Sequence, residues 1–245
     1  ASLDRFHLLL DSAANQQPNH RTPNQHAPKQ QTSNQQTSKQ QVKDDVATTP
    51  ETGDPCVFLD RDGTLIEDAH LVHRRDQVVI LPGTTDALLA LQQAGFRLIV
   101  VTNQAVVARG MATEEDVREL HAWLDDRLRL AGVVVDEWRF CPHHPNATLA
   151  EYRCDCDCRK PLPGMLVETA SRRGIRLSES YMIGDRPTDV AAGAAAGCRT
   201  VLVQTGRHED PLIESARPIA RNVSPDHACL DLPSAAAWIQ RNRAA

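Results

Sequence analysis

Apolar and polar positions fall along the chain in blocks whose periods separate strands from helices. Cys56-Val57-Phe58-Leu59 is a continuous apolar run ending in the polar turn Asp60-Arg61-Asp62-Gly63-Thr64, as expected of a buried parallel strand that feeds a loop. Over residues 84–94 the positions Leu88, Leu89 and Leu91 follow a helical pattern stopped by Gly95, and Arg97-Leu98-Ile99-Val100-Val101 succeeds it as a second strand. The alternation continues with a helix over 113–130, a strand near 133–138, a helix over 164–173 closed by Gly174, a strand at 181–183, a small-residue helix ending at Gly197, and a strand at 200–203. Strands separated by helices in this way predict an α/β fold built on a doubly wound, mainly parallel sheet.

The N-terminal stretch carries no such pattern. From His7 to Val57 there is no Phe, Tyr or Trp, and Gln, Asn, Ser, Thr, Pro and Lys dominate, so little apolar surface is available to offset the entropy of ordering the backbone. Residues 1–53 are therefore expected to form a disordered low-complexity tail, and residues 54–245 one folded domain. A net charge of −5 and a pI near 6.1 give no general attraction to nucleic acid or anionic membrane, so neither is an expected partner. No run approaches the roughly 18 apolar residues that span a bilayer, and the apolar cluster at 6–10 is too short and poorly flanked for a signal peptide. The expected address is the cytoplasm, and the expected state is a monomer. Seven cysteines would leave one unpaired in a fully disulfide-bonded protein, whereas the cluster at 141–158 has metal-site spacing. The glycosylation-like triplets at Asn146 and Asn222 are accordingly read as chance matches.

Ligands of open parallel sheets sit beyond the carboxyl ends of the strands, and the unusual residues cluster there. The first strand ends at Asp60-Arg61-Asp62-Gly63-Thr64, the second at Thr102-Asn103-Gln104, and the strand at 181–183 at Gly184-Asp185, with Asp189 one turn further on. Taken singly, Asp-x-Asp-Gly is also a common turn or calcium-loop fragment, Thr102 a helix cap, Lys160 a surface charge and Asp185 a turn former. The calcium reading weakens because the loop lacks the further spaced oxygen ligands and the terminal Glu of an EF-hand.

In their order these residues resemble the haloacid dehalogenase superfamily. Phe58-Leu59-Asp60-Arg61-Asp62-Gly63-Thr64 is similar to its first motif, Val101-Thr102-Asn103-Gln104 to its second, Lys160 to its third and Ile183-Gly184-Asp185 to its fourth. The resemblance implies a Mg2+-dependent phosphatase in which Asp60 is the nucleophile and forms an aspartyl phosphate, while Asp62 is the general acid and base. It implies that Asp60, Asp185 and the Asp62 backbone carbonyl hold Mg2+ with Asp189 in support. Thr102, Asn103, Gln104 and Lys160 would bind phosphate or substrate. Residues 61–101 are already filled by a flap, a helix and a strand, which leaves no room there for a large cap domain.

Between Thr102 and Lys160 lie Cys141-Pro142-His143-His144-Pro145 and Cys156-Asp157-Cys158-Arg159-Lys160, two short ligand pairs sufficient for a closed tetrahedral Zn2+ site; the bland alternative is a set of buried thiols. This form resembles the D-glycero-D-manno-heptose 1,7-bisphosphate phosphatases, together with Ala108-Arg109-Gly110 and Pro163-Gly164-Met165-Leu166, and less closely the histidinol-phosphate phosphatases. It implies Zn2+ on Cys141, His143, Cys156 and Cys158, with His144 and Cys154 outside the shell. It also implies hydrolysis of the C7 phosphate of a heptose bisphosphate, a phosphorylated-sugar substrate, in the synthesis of nucleotide-heptose precursors of the lipopolysaccharide type. Cys154 departs from the pattern and could compete as a ligand, and in the flap His70-Leu71 stands where Gly-Tyr is usual. Arg159 suits the second, non-reacting phosphate, since guanidinium matches phosphate geometry; a surface salt bridge is the alternative. The competing functions are a histidinol-phosphate phosphatase, a polynucleotide 3′-phosphatase, which the acidic chain opposes, and a non-catalytic zinc-organised binding module.

Overall fold

The computed structural model of the protein describes residues 53–206 and 223–243. Apart from Gly53, the tail expected over residues 1–53 lies outside the described residues.

The strands β1 (Cys56–Leu59), β2 (Arg97–Asn103), β3 (Glu137–Cys141), β4 (Tyr181–Gly184), β5 (Arg199–Val203) and β6 (His227–Cys229) form one sheet in the order β3-β2-β1-β4-β5-β6. Every pairing between neighbours is parallel. The connecting helices are α1 (Thr84–Gln93), α2 (Ala105–Ala108), α3 (Glu114–Leu130), α4 (Gly164–Arg173) and α5 (Pro187–Ala196), with α6 (Leu232–Arg241) at the end.

The period of two along each strand divides the core into two layers. Val57, Leu59, Leu98, Val100 and Ile183 face Leu88 and Leu91 of α1, Leu120 and Leu124 of α3, and Ile239 of α6. Cys56, Phe58, Ile99, Val101 and Met182 face Met165 and Leu166 of α4 and Ala192 of α5. Strands that are apolar on both faces can sit only in the middle of such a sandwich, which is why β1 lies at its centre. The small-residue sequence of α5 has its reason here: a Cβ on Gly193 would lie 2.6 Å from Cβ of Met182, so the helix presses directly onto β4.

Two expectations change. The strand expected near 133–138 begins at Glu137 and runs to Cys141. Val133 and Val135 are buried, but in the approach to the strand. The Asp136 carboxylate accepts the Leu98 N–H at 3.1 Å and the Arg97 guanidinium at 3.0 Å, closing the start of the ladder so that pairing with β2 begins one residue later. The expected series of elements stopped at residue 203, whereas the sheet gains β6 and its edge is followed by α6, capped by Asp231 accepting the Ser234 N–H at 2.9 Å. Among the described residues no helix is long and apolar enough to cross a membrane.

Candidate active site and metal centre

β1 and β4 are adjacent at the point where the strand order reverses, and a crevice opens beyond their carboxyl ends. Asp60 leaves β1 with its N–H donated to the Ile183 carbonyl at 2.9 Å, which fixes the nucleophile candidate against the end of β4. Gly63 turns the chain back at φ +76°, and a Cβ there would meet a carboxylate oxygen of Asp185 at 2.6 Å. The glycine thus serves both the turn and the approach of the loop to Asp185.

Carboxylate oxygens of Asp60, Asp185 and Asp189, all buried, lie within 4.8 Å of one another. Among the described residues, neither oxygen of Asp185 accepts a hydrogen bond. Buried carboxylates left in this state are expensive unless a cation joins them, so the donor set, all oxygen and all anionic, fits Mg2+. Burial, then the charges of Asp189 and Asp60, pushes the Asp185 carboxyl well above the usual carboxylate range.

Lys160 points into the same place. Its Nζ stands 2.9 Å from Asp60, 2.6 Å from Asp189 and 2.8 Å from the Val101 carbonyl that accepts its proton. Burial works against the charge of Asp60, yet the Lys160 ammonium, helped by the Arg61 N–H and the Thr102 hydroxyl, leaves the Asp60 carboxyl below its ordinary value. Burial also opposes the charge of Lys160, which its two acidic partners outweigh. The segment carrying Lys160 is docked to β2 through Asn103, whose amide donates to the Lys160 carbonyl at 2.9 Å and accepts its N–H at 3.1 Å. The side-chain amide of Asn103 is therefore engaged in holding Lys160 in place.

Asp62 faces the cleft beside Asp60. Burial raises its carboxyl, the neighbouring Arg61 opposes that rise, and Asp60 adds to it. Gln104 donates to Asp62 at 2.9 Å and to the Thr102 hydroxyl at 3.0 Å, so it ties the ends of β1 and β2 together. Arg61, His121 and Arg186 were not singled out from sequence. Arg186 donates to Asp68 of the flap at 2.8 Å, and Asp68 in turn accepts the N–H of His70 at 3.1 Å. His70 and Leu71 hold left-handed φ values of 61° and 57°, so Asp68 caps an unusual turn at the mouth of the cleft.

A second cluster stands beside the first. Sγ of Cys158 is 3.2 Å from those of both Cys141 and Cys156, and Cys141 is 3.6 Å from Cys156. Nδ1 of His143 lies 3.4 Å from Cys158 and 3.7 Å from Cys141. Ligands about 2.3 Å from a tetrahedral Zn2+ stand roughly 3.8 Å apart, so these four atoms surround a position of the right size. The hydrogen bond shared with Cys141 is the main influence on the Cys158 thiol, taking it down to about 5 against burial, while the Cys141 and Cys156 thiols are pushed up. Three thiols packed this closely are the pattern expected where a divalent cation would ionise and hold them. Every cysteine of the chain is unbridged, and Cys154 is exposed and outside the four-residue group.

Arg109 at the end of α2, His144 after the first ligand pair and Arg159 after the second also line this cleft, and the two arginines lie near His144. Arg159 donates to the His143 carbonyl at 2.8 Å, which couples its position to the metal loop. Burial, then Arg159 and Arg109, lowers the His144 pKa, placing two cations and a neutral imidazole together.

Comparison with known proteins agrees with this geometry. The profile of the HAD-hydrolase-like family matches residues 157–235. The chain is 40% identical over 190 residues to the D-glycero-beta-D-manno-heptose-1,7-bisphosphate 7-phosphatase of Photorhabdus laumondii, covering 77% of this chain and 98% of that one. It is 42% identical over 182 residues to the enzyme of the same name from Escherichia coli K12, covering 74% and 93%. A crystal structure of D,D-heptose 1,7-bisphosphate phosphatase from B. bronchiseptica, complexed with magnesium and phosphate, superposes with a TM-score of 0.63 at 33% identity, covering 76% of this chain and 98% of that one.

Proposed function

Because the chain belongs to the family of D-glycero-beta-D-manno-heptose-1,7-bisphosphate 7-phosphatases, within the haloacid dehalogenase-like hydrolases, we propose that it removes the C7 phosphate of that sugar bisphosphate by way of a phosphorylated Asp60. The observation that carries the reading is the convergence of Asp60, Asp185, Asp189 and Lys160 in one buried cluster at the sheet's switch point.

Asp60, Asp185 and the Asp62 carbonyl would hold Mg2+, with Asp189 fixing the shell through Lys160. When bound, the ion supplies positive charge that lets an anionic nucleophile approach an anionic ester. The low pKa of Asp60 keeps it ionised for attack. Its oxygen bonds to phosphorus as the bond to the C7 oxygen breaks, and Asp62, whose pKa is raised, gives that oxygen a proton. Water then attacks phosphorus, its proton passes to Asp62, and the Asp60 carboxylate departs. Thr102 and Lys160 hold the phosphoryl oxygens, and Asn103 and Gln104 keep both in register. Arg159 takes the second phosphate at C1, with Arg109 and His144 beside it.

Zn2+ on Cys141, His143, Cys156 and Cys158 is structural in this reading, since four protein ligands leave no open position for water. Unbridged cysteines fit a reducing cytoplasm, and a monomer suffices because one chain supplies every residue of the site. The relatives favour the heptose substrate over histidinol phosphate and over a non-catalytic role. Phosphate release from heptose 1,7-bisphosphate and from histidinol phosphate, measured side by side, tests the assignment; equally poor turnover of both would sink it.

A further inference from the structure

Arg61 stands between the nucleophile and the acid–base group, yet none of it reaches solvent. A buried guanidinium is costly unless its charge and its donors are all met. Here Nε and Nη2 donate to the Asp62 carboxylate at 3.1, 3.0 and 2.9 Å. Nη2 also donates to the Val72 carbonyl at 2.7 Å and to Gln104 Oε1 at 3.0 Å. Nη1 lies 3.2 Å from Nε2 of His121. A guanidinium has no lone pair to offer, so the His121 Nε2 accepts and its ring proton sits on Nδ1.

His121 is itself buried, on α3, with its ring 5.0 Å from that of Trp138 and 5.7 Å from that of Phe140. Those rings fix the imidazole, the imidazole fixes Nη1, and the guanidinium fixes Asp62. Gln104 completes the clamp, since its carbonyl end accepts from Arg61 and its amino end donates to Asp62.

We propose that Arg61, braced by His121, is a positioning residue that aims the Asp62 carboxylate at the water that hydrolyses phosphorylated Asp60. The inference rests on the assignment of Asp62 as acid and base given above. In that half-reaction the water oxygen bonds to phosphorus and the bond from phosphorus to Asp60 breaks. Its electron pair stays on the Asp60 carboxylate, the water proton goes to Asp62, and inorganic phosphate leaves. Arg61 and the Gln104 amide offer Asp62 donors only, so the clamp suits the proton-accepting carboxylate. The preceding half-reaction can be relieved of any need for Asp62 by an aryl leaving group, which departs without a proton.

The test is rapid-quench kinetics of the full chain with Mg2+ and p-nitrophenyl phosphate, following p-nitrophenolate and protein-bound phosphate together. In His121→Leu, formation of the phosphoenzyme should stay within about twofold of wild type, while its hydrolysis slows about tenfold, part of the span general acid–base catalysis commands. His121→Gln, whose carbonyl can accept from Nη1, should recover most of that loss. Arg61→Lys, which keeps the charge but not the fork, should show the same selective defect and carries the test if His121→Leu does not fold. Equal slowing of both steps, or wild-type hydrolysis in the folded variants, overturns the proposal. Asp62→Asn separates the two levels: slow hydrolysis in Asp62→Asn with wild-type hydrolysis in His121→Leu removes only the positioning role. Wild-type hydrolysis in Asp62→Asn removes the acid–base reading beneath it.

Discussion

The ammonium of Lys160 lies 2.9 Å from a carboxylate oxygen of Asp60, although the two residues are far apart in the chain and both are buried. An ion pair of this kind cannot be judged by its stability contribution alone, since desolvation offsets much of its attraction. Its consequence is chemical: Lys160 keeps Asp60, the proposed nucleophile, ionised, while Asp185 has no hydrogen-bonded partner among the described residues.

Asp60→Asn should therefore abolish turnover, by about a thousandfold or more, because the amide is nearly isosteric but is not a nucleophile. Its fold should stay intact with a melting temperature somewhat below the wild type's, since the Lys160 pairing that holds the Asp60 carboxyl below its ordinary value is lost with the charge. Phosphate release alongside a thermal melt checks both halves; Mg2+-dependent turnover near the wild-type rate would exclude the covalent route.

Chelation of Mg2+ should stop turnover and also lower stability. Ligand at about a hundred times its dissociation constant contributes about 2.7 kcal/mol, roughly 5 °C or more for a domain of this size. A carboxyl whose pKa is raised on folding favours the fold while protonated and ceases to as pH climbs through the raised value. Asp62, Asp185 and Asp189 are of that kind, with burial as the leading cause in each. The site should thus cost the metal-free protein stability as pH rises from mildly acidic to neutral, and added Mg2+ should flatten that fall. Melting curves across pH with and without Mg2+ read it directly; identical slopes would count against the site.

Deleting residues 1–50 should leave kinetic constants and melting temperature nearly unchanged, because the core and the site described here are drawn from residues 53–206 and 223–243. A large fall in melting temperature would show that the segment contributes to the fold.

Sequence made the site's ends visible and hid its middle. Asp60, Thr102 and Asp185 could be placed because each follows an apolar strand, and the topology gathers strand ends at one edge. The two ligand pairs of the metal loop showed in their spacing, and the resemblance to the heptose phosphatases set His144 and Cys154 outside them. Arg61 looked like an ordinary turn residue and His121 like one helical position among many, since their contact spans distant parts of the chain and exists only once α3 packs on the sheet. Arg186 meets Asp68 across a still longer stretch of chain, 118 residues. The start of β3 was displaced for a local reason, the Asp136 carboxylate that takes over the Leu98 N–H.

Metal analysis separates the ligand set from its neighbours. Cys156→Ser should lose most of its Zn2+ under reducing conditions, while Cys154→Ser, at an exposed position outside the group, should retain it. Reversal of that order would show the ligand assignment to be wrong, and wild-type protein without stoichiometric Zn2+ would remove the site.

Arg159→Ala should raise KM for heptose 1,7-bisphosphate by about ten- to a hundredfold, the loss of a charge-assisted contact of roughly 1.5–3 kcal/mol, with a smaller change in kcat. The reason is its place: it lines the cleft together with Arg109 and His144, held by the His143 carbonyl and the neighbouring Cys141 thiol. A group that binds a non-reacting phosphate contributes equally to ground state and transition state, so its removal appears in KM. Arg159→Lys should recover part of the affinity through charge while losing the two-pronged contact. p-Nitrophenyl phosphate, which has no second phosphate, provides the control. If Arg159→Ala impairs its turnover as much as that of the bisphosphate, Arg159 acts by bracing the metal loop and Lys160. If only the bisphosphate suffers, the second phosphate binds beside Arg159 in the cleft.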